Sequence, residues 1–581
     1  MNADNPDSVT LIEDKSTARQ IHISVKTCLH GVDASMSQTG AEDEPGFSRQ
    51  ASTGEDNVAG PPPNNPTDTP AEAASLTPTD ALGEIALDLQ RQFQGSTNLV
   101  FANNRRTVEL LGDLLKNHGQ VLDDSEAAFV LHHGSLSRQV RHETESALKS
   151  GRPTNALCTS SLELGINVGA IVAVAQIDPT WTVSSLVQRL GRSGRRQGQP
   201  TVLRLYVRAA VPRQDSCLDD LLYPKLLHSV AMLRLLLAGW LEPPDSDRMH
   251  LSTLTHQVLS MLREAGGLAA LELYDQLCQR GPFRRVTPAD FKSLLKSLFK
   301  EQLIDQEPLG AIILGLAGEK MTSAPEFYAA FSTPRELSVR YGSRHIGKLQ
   351  LSFGVKVDEC LVLNGKRWLI ERIEWKSRTI WVVPTAIKKA PVFLGDGGVI
   401  HARVFAEMRL VLRETGVPEW LDAEGVELLR AARDTAQNVG LTQTDLLAQD
   451  NRVQWFPWAG TRGLLTLWLW AKNQGIDCSR DFLSLTYPHL TTAAFRQHLR
   501  NLVGGEVDPI QLAVLLPVKQ HERFDPSIDE DLLNKANAQD RLDLAAARKA
   551  AHDALEHLER GILPAIGCGN GRTELRSRQG T

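Results

Sequence analysis

The sequence predicts a multidomain protein that combines α/β and α+β units. Between residues 99 and 178, apolar runs alternate with amphipathic helical patterns, which is typical of a parallel sheet covered by helices. After residue 208 the apolar residues recur at helical spacing, and between residues 337 and 387 they alternate as in short strands. Because 581 residues exceed the length of one domain, these patterns indicate roughly three or four units.

Composition narrows the class of protein. The chain has 63 Lys and Arg residues against 69 Asp and Glu residues, so any surface for nucleic acid must be a local basic patch. The seven cysteines are scattered without a CxxC or Cys/His cluster, which predicts no metal site and a reducing compartment. Since there is neither a signal-peptide pattern nor an apolar run long enough to cross a bilayer, we expect a cytoplasmic protein with no membrane partner.

The α/β part begins with an apolar run, Leu99 to Ala102, that predicts a buried strand feeding a helix. Residues 132–151 predict a turn and a helix with its N-cap at Ser137 and its end at Gly151. A further strand, a turn and a second apolar strand are expected over residues 155–178. This order predicts parallel strands joined by helices.

The most informative segment is QRLGRSGRR, residues 188–196, in which four arginines alternate with small residues. Guanidinium groups are planar, permanently charged and suited to phosphate oxygens, and small residues let a ligand approach the backbone. Such a segment can complete a nucleoside triphosphate site with an arginine finger, which contributes about 10³–10⁵ in rate. Taken alone, the segment is equally compatible with a solvated basic patch or a nucleic-acid-binding loop.

In this order, four segments resemble the second RecA-like domain of superfamily 2 helicases, especially that of the large helicase-related (Lhr) type. LVFANNRRTVE (99–109) resembles motif IV, and residues 132–151 resemble the segment that follows it. CTSSLELGINVGAI (158–171) resembles motif V, and QRLGRSGRR resembles motif VI. The chain departs from the family at Asn167, where Lhr-type motif V usually has Asp, so that an amide replaces a carboxylate.

The resemblance implies a role for each residue at a matching position. In motif VI, Arg192 and Arg195 would contact the γ-phosphate of ATP, and Gln188 would help to couple ATP to the strand. In motif V, Gly165 and Asn167 would approach the nucleotide.

Three further residues would face nucleic acid by the same resemblance: Arg105 of motif IV, and Thr159 and Ser160 of motif V. Membership of the family implies ATP-driven translocation on single-stranded or forked DNA, with unwinding of duplexes or RNA–DNA hybrids. ATP would lie between two motor domains that close and open stepwise along the strand.

The sequence shows only half of such an ATP site. No GxxxxGK[ST] pattern occurs, and the segment GSRHIGKL (342–349) has Leu349 where a P-loop needs Ser or Thr. That segment also leads into a strand pattern, whereas a P-loop leads into a helix whose N-terminus holds phosphate. Because no DExH segment is found either, ATP and Mg²⁺ are expected to bind only together with a first motor domain, and the chain alone is expected to be inactive.

The N-terminal residues fit that expectation. Residues 8–26 predict two strands and resemble the connector that follows the first motor domain in Lhr-type proteins, so residues 1–30 are assigned to it. Residues 31–80 are rich in Pro, Gly, Ser, Thr, Asn and acidic residues, which predicts a disordered linker. Either the gene is split or truncated, or a P-loop/DExH domain comes from another polypeptide. The alternative to a helicase function is a non-catalytic nucleic-acid-binding subunit or a truncated remnant.

Residues 81–215 are thus predicted to form the second RecA-like domain, and residues 216–325 a helical connector and a winged helix. The third helix of this block is expected to begin at Thr287, with a proline in its first turn. On one of its faces Lys292, Lys296 and Lys300 recur at i, i+4 and i+8. Lys292 and Lys296 are therefore candidate phosphate contacts, although an ordinary solvated face has the same pattern.

Residues 326–400 predict a small antiparallel β-barrel or sheet, with a hairpin turn at Asn364-Gly365. Its tryptophans (Trp368, Trp375 and Trp381), together with nearby Lys and Arg residues, suit either core packing or a surface that stacks on bases and follows phosphates. Residues 401–560 predict a mainly helical C-terminal module, and residues 561–581 a disordered tail.

Overall fold

The computed structural model describes residues 20–30, 81–118, 128–164, 170–195, 198–213, 216–245, 248–328, 336–350, 357, 360–363, 366–375, 377–385, 398–449 and 451–560. Several predictions lie outside these residues: the linker at 31–80, the tail at 561–581, Gly165, Asn167 and the Asn364-Gly365 turn.

A six-stranded parallel sheet forms the α/β unit, in the order β1-β6-β5-β2-β4-β3. Its strands β2, β4 and β5 are buried along their whole length, which explains why most of their residues are apolar. The strands are β1 (Ile21–His30), β2 (Asn98–Ala102), β3 (Ala128–His132), β4 (Thr154–Cys158), β5 (Ala173–Ile177) and β6 (Thr201–Ala210). The helices are α1 (Ala81–Gln92), α2 (Arg105–His118), α3 (Arg138–Lys149) and α4 (Val183–Leu190).

Strand β1 is part of this sheet and not of a separate connector, which corrects the predicted boundary at residue 30. It pairs in parallel with β6 along its whole length. Its other edge is covered by a distant segment, because Val25 N donates to Trp420 O at 2.8 Å and Asp422 N donates to Val25 O at 3.2 Å. Of the two strands predicted for residues 8–26, the first lies outside the described residues, and the second falls at β1.

The next block contains helices and a hairpin. Its helices α7, α8 and α9 precede the antiparallel pair β7–β8, and Leu268 adds an isolated bridge to Ile312. The predicted start of α9 is confirmed, because Thr287 and Asp290 form a capping box. The elements are α5 (Leu218–Leu221), α6 (Pro224–Leu237), α7 (Leu251–Ala265), α8 (Ala270–Tyr274), α9 (Pro288–Lys300), β7 (Ile304–Gln306), β8 (Ile312–Leu314) and α10 (Leu316–Thr322).

A five-stranded sheet follows, in the order β10-β9-β13-β12-β11. Its β9–β13 pair is parallel, which corrects the prediction of a purely antiparallel module. Most of the segment that imitates a P-loop, residues 342–349, lies in strand β10 and not before a helix. The strands are β9 (Glu336–Tyr341), β10 (Arg344–Gln350), β11 (Cys360–Val362), β12 (Arg367–Glu374) and β13 (Thr379–Pro384).

The C-terminal part is mainly helical, but it also contains a four-stranded antiparallel sheet that was not predicted. It does not pack as one module: α11 and α12 join the core of the parallel sheet, and α16 joins the core of α7 and α9. The elements are α11 (Ala402–Arg413), α12 (Ala423–Asn438), β14 (Leu446–Gln449), β15 (Arg452–Trp455), α13 (Gly460–Asn473), β16 (Ser479–Arg480), β17 (Leu485–Tyr487), α14 (Thr492–Gly504), α15 (Pro509–Val514), α16 (Glu530–Arg541) and α17 (Leu544–Glu559).

None of the described helices is long and apolar enough to cross a membrane.

Candidate functional site

The candidate site lies at the carboxyl edge of the parallel sheet. Strands β2, β3, β4 and β5 all end at this edge because they run in the same direction. Ligands of open α/β sheets bind outside the carboxyl ends of the strands. The segments that follow these strands include the described parts of motifs IV and V and the turn at residues 133–135.

Helix α4 carries the start of motif VI, and its first turn is fixed by the preceding residue, Thr182, and by Glu242 from a distant part of the chain. Thr182 Oγ1 accepts a hydrogen bond from Ser185 N at 3.1 Å. The carboxylate of Glu242 accepts from Val183 N at 2.7 Å and from Ser184 N at 3.0 Å. Burial opposes ionisation of Glu242, but these hydrogen bonds outweigh it and lower the pKa of the carboxyl group. The helix is therefore held at its N-terminus by an anion, as its dipole favours.

Arg189, the first arginine of the segment, is buried and serves the fold. Its Nε donates to Glu163 Oε2 at 2.9 Å, and its Nη1 donates to Gln176 Oε1 at 2.5 Å. The guanidinium carbon lies 5.2 Å from the ring centroid of Phe101. Glu163 also accepts from Ser185 Oγ at 2.8 Å. Arg189 thus ties α4 to motif V and to β5, and it is not available to a phosphate.

Arg192 and Arg195 lie beyond the end of α4 and are the accessible arginines of the described part of the segment. Arg192 is half-buried and donates from Nη2 to the carbonyl of Glu163 at 2.6 Å, whereas Arg195 is exposed and donates from Nε to the carbonyl of Gly191 at 3.1 Å. Burial and the positive charge of Arg195 lower the pKa of Arg192, against the opposing effect of Glu163. Two adjacent guanidinium groups that repel each other favour a bound anion.

The turn between these arginines and β6 requires glycine. Gly194 has φ +64°, and a Cβ at this position would lie 2.6 Å from Thr201 Oγ1. The adjacent Ser193 is buried and forms an isolated bridge with Ile171, the last residue of motif V. Gln188 is exposed on α4, on the same segment as the arginines. The turn therefore fixes the position of Arg195 relative to the sheet.

The residues predicted to face nucleic acid are linked through the turn after β3. Arg105 opens α2 and donates from Nη1 to Ser135 Oγ. On the other side of the turn, Ser161 Oγ donates to the carbonyl of His132 at 2.9 Å. Ser161 lies in the short 3₁₀ helix at residues 160–162. Motif IV, the turn and motif V are therefore in one continuous set of contacts.

Within this set the side chains predicted to contact the strand are accessible. Arg105 and Ser160 are exposed, and Thr159 is half-buried with no side-chain hydrogen bond to the 3₁₀ helix that follows it. Hydroxyl and guanidinium groups at a sheet edge suit phosphate oxygens. The structure therefore brings Arg105, Thr159 and Ser160 to the same edge of the sheet.

Lys292 and Lys296 lie elsewhere. Both are exposed on α9, whose buried side packs in a different core together with α16. Asp290, on that buried side, pairs with Lys535 Nζ at 2.7 Å. No described contact connects the two exposed lysines with the edge of the parallel sheet, so they are a separate basic face.

Sequence reasoning missed Glu163, Gln176 and Asn103, which together surround Arg189. Asn103 Nδ2 donates to Pro179 O at 2.7 Å, and its Oδ1 accepts from Gln176 Nε2 at 3.3 Å. A signal was present, because Gln176 interrupts an apolar strand and Glu163 lies between two leucines. A polar residue in a buried run needs a partner, and that partner is Arg189.

Comparisons with known proteins agree with the resemblance. The model of the helicase conserved C-terminal domain matches residues 79–197. The chain is 26% identical over 290 residues to the Lhr helicase/uracil glycosylase of Escherichia coli strain K12, which covers 46% of this chain and 18% of that protein. It is 37% identical over 136 residues to the ATP-dependent helicase Lhr-Core of Methanothermobacter thermautotrophicus, which covers 23% of this chain and 15% of that protein. The alignments thus span less than a fifth of these curated relatives.

The fold has a solved counterpart. A structure of the Mycobacterium smegmatis helicase Lhr bound to ssDNA and AMP-PNP superposes with a TM-score of 0.53 and 17% sequence identity, over 85% of this chain and 68% of that one. At this identity the likeness concerns the fold alone. The chain therefore contains a region that matches the helicase conserved C-terminal domain, and it is similar to part of the Lhr-type helicases.

Proposed function

We propose that the chain is the C-terminal portion of an ATP-dependent helicase that translocates on single-stranded DNA. In this proposal it supplies arginine fingers and strand contacts to an ATP site that a P-loop/DExH motor domain outside these 581 residues completes. The observation that carries the proposal is that Arg192 and Arg195 remain accessible past the end of α4, with Arg192 bonded to motif V, while Arg189 is committed to the fold. A simple basic loop needs no such division of roles.

At the proposed ATP site, the arginines would act on charge that develops in the transition state. Phosphoryl transfer to water spreads negative charge over the γ-phosphate oxygens, and fixed guanidinium groups stabilise that charge. Arg192 and Arg195 are the candidates for this contact, with Gln188 beside them on α4. Gly165 and Asn167 are proposed to approach the nucleotide, and the partner domain would hold the Mg²⁺ and the remaining phosphates.

The proposed contacts with the nucleic-acid strand lie at the edge of the sheet, at Arg105, Thr159 and Ser160. The 3₁₀ helix of motif V leads directly into Glu163, whose carbonyl and carboxylate bind Arg192 and Arg189. A displacement of this 3₁₀ helix would therefore act directly on Glu163, which binds Arg192, one of the two proposed fingers. This provides a short mechanical link between strand contact and the ATP site, consistent with stepwise opening and closing of motor domains.

We further propose that residues 251–314 form a winged helix and that the five-stranded sheet corresponds to the β-barrel module of Lhr-type cores. Helix α9 is the third helix before the β7–β8 hairpin, which is the position of a recognition helix in such modules. Lys292 and Lys296 on its exposed face are proposed to contact phosphates of single-stranded or forked DNA.

A second function, a non-catalytic nucleic-acid-binding subunit or a remnant, is favoured by one observation: no P-loop or DExH pattern occurs in the sequence. In that case the arginines would serve phosphate contacts only. The genomic neighbourhood separates the two proposals. An adjacent reading frame that encodes a P-loop/DExH domain supports the helicase pair, and the absence of such a frame supports the subunit or remnant.

We expect the purified chain to bind single-stranded DNA with strong salt dependence. Each phosphate contact releases counterions, so log affinity should fall linearly with log salt by about 0.7 per contact. Arg105→Ala should lower this slope by about one contact, and Lys292→Ala should weaken binding modestly. Fluorescence anisotropy with a labelled oligonucleotide across a salt series measures both effects.

The matched control for this experiment is Arg91→Ala, which removes an exposed arginine at the end of α1, before β2 begins and so away from the carboxyl edge. It should leave the slope unchanged. Undetectable binding of the unmodified chain at low salt, or an equal loss in the control, argues against the proposed strand edge.

A further inference from the structure

The side chain of Ser161 lies within hydrogen-bond distance of two different atoms of His132. Its Oγ is 2.9 Å from Nδ1 of the imidazole ring and 2.9 Å from the carbonyl oxygen of the same residue. A hydroxyl group has only one proton to donate. Ser161 can therefore donate to the ring or to the carbonyl oxygen, but not to both at once.

The protonation state of the ring decides between these two bonds. Nε2 of His132 lies 3.3 Å from Oε1 of Glu145 on α3. Because a carboxylate only accepts hydrogen bonds, the proton of the neutral ring belongs on Nε2, and Nδ1 accepts from the hydroxyl of Ser161. In the charged ring Nδ1 also has a proton and donates to Ser161 Oγ, so the hydroxyl turns to the carbonyl oxygen. One bond thus joins the two residues in the neutral state, and two bonds join them in the charged state.

The surroundings of the ring determine the pH at which this exchange of bonds occurs. Among the described residues, Glu145 and Arg141 face the ring from α3, and His133 faces it from the turn at residues 133–135. Burial lowers the pKa of His132 below its ordinary value of 6.5; Glu145 opposes this shift, whereas Arg141 and His133 add to it. The ring is therefore neutral at pH 7 and takes up a proton in more acidic solution.

The neighbouring His133 has no such choice. Its Nδ1 accepts a hydrogen bond from Ser135 N at 3.3 Å, and its Nε2 lies 2.7 Å from Oε1 of Glu109. A backbone N–H only donates and a carboxylate only accepts, so both partners have fixed roles. The hydroxyl group that can reverse its hydrogen bond therefore belongs to the environment of His132 and not to that of His133.

His132 and Ser161 join the two sides of the proposed strand edge. His132 is the last residue of β3 and precedes the turn that carries Ser135, the hydroxyl partner of Arg105. Ser161 lies in the 3₁₀ helix of motif V, next to Ser160. A second bond between His132 and Ser161 therefore holds the turn and motif V together more firmly. A binding surface that is fixed in advance loses less conformational freedom when its ligand binds.

We propose that His132 is a positioning residue that couples strand binding to pH: its protonation reverses the Ser161 hydroxyl, adds a bond between the turn and motif V, and strengthens the binding of single-stranded DNA. The inference rests on the proposed function, because it concerns the same strand edge, and it adds no new contact with nucleic acid. Coupling between two binding events is reciprocal, so a bound strand should in turn favour uptake of the proton.

The first test measures binding of a rhodamine-labelled oligothymidylate to the full chain by fluorescence anisotropy, at constant salt, between about pH 8 and about pH 5.5. Affinity should rise as the pH falls, and about fivefold of this rise, the effect of one net hydrogen bond, should be absent in Ser161→Ala. Since this variant changes no charge, the contribution of the other histidines remains in both curves. His132→Gln should lose the same part of the pH response, and circular dichroism checks the fold of each variant.

The matched control is His142→Gln, which removes an exposed histidine of α3 and should keep the fivefold part of the pH response. Nitrogen-15 NMR of ring-labelled histidine then reads the positions of the protons, with the His132 signal identified by its absence in His132→Gln. The neutral ring should carry its proton on Nε2, and a saturating oligothymidylate should raise the titration midpoint by about 0.7 pH unit, the reciprocal of a fivefold change in affinity. A neutral ring protonated on Nδ1, or a midpoint that the oligonucleotide does not move, overturns the proposal.

The two proposals fail in different ways. If the unmodified chain binds oligothymidylate and Ser161→Ala shows the same pH response, His132 does not control the strand edge and the proposed function stands. If the unmodified chain does not bind oligothymidylate at low salt at any pH, the proposed function fails and the proposal for His132 fails with it.

Discussion

In a reconstituted pair with a P-loop/DExH motor domain, Arg192→Ala and Arg195→Ala should each lower ATP turnover by about 10³-fold or more. The reason is that each removes a fixed positive charge that meets charge developing on the γ-phosphate, an effect present in the transition state and weaker in the ground state. Lysine at either position should restore little turnover, since an ammonium lacks the planar two-pronged geometry of guanidinium. A coupled ATPase assay with single-stranded DNA measures the loss.

Of the two arginines, Arg195 is the one whose substitution is easier to interpret. It is exposed and bonds only to the carbonyl of Gly191 among the contacts described for it, whereas Arg192 also supports Glu163. We therefore expect Arg195→Ala to keep the fold, and circular dichroism of the variant checks this. Arg213→Ala, another exposed arginine after β6, is the control and should keep full turnover. Full turnover of both finger variants in an active pair would mean that QRLGRSGRR is a basic surface loop.

Arg189→Ala should destabilise the parallel-sheet unit by about 3–5 kcal/mol, because it leaves a buried carboxylate without its partner. The side chains of Arg189 and Glu163 are 6% and 10% exposed, and their atoms approach to 2.9 Å. Native-state hydrogen exchange of the β5 and α4 amides measures the change in opening free energy within this unit.

The double variant Arg189→Met with Glu163→Gln provides the control for that measurement. Removing both charges leaves no unpaired ion, so much of the stability lost in Arg189→Ala should return. Unchanged hydrogen exchange in Arg189→Ala would show that Arg189 does not stabilise the parallel-sheet unit. Arg189 would then be a candidate phosphate ligand.

Local signals in the sequence predicted local structure well. The N-cap at Ser137 is confirmed, since its Oγ accepts from Val140 N at 3.3 Å, and α9 begins with the capping box at Thr287. The strand–helix alternation that predicted a parallel sheet is confirmed as well. Each of these features depends on a few neighbouring residues, and their spacing is visible in the sequence.

Long-range pairing was not predictable in the same way. Strand β1 pairs with β6 and with residues 420–422, and the parallel pair β9–β13 joins strands whose sequence pattern suits either direction. The four-stranded sheet of the C-terminal part has strands of two to four residues, too short for an alternation pattern. Such partners are chosen by packing across the whole chain, which local patterns do not report.

In the candidate site, too, the sequence predicted the local segment but not the long-range contacts of its residues. The sequence identified the arginine segment, but it could not separate Arg189, which anchors the helix, from Arg192 and Arg195, which remain accessible. That separation arises because α4 turns Arg189 toward Glu163 and Gln176, while the two later arginines lie past the end of the helix. Likewise, Trp368 is buried and Trp381 is partly exposed, although both lie in strands of similar composition.

The most direct test of the half-site is a coupled ATPase assay with single-stranded DNA, run on the purified 581-residue chain alone and in a mixture with a P-loop/DExH motor domain. The account predicts background turnover for the chain alone, because no P-loop holds the β- and γ-phosphates, and DNA-stimulated turnover for the mixture. Turnover by the chain alone that survives further purification would contradict it.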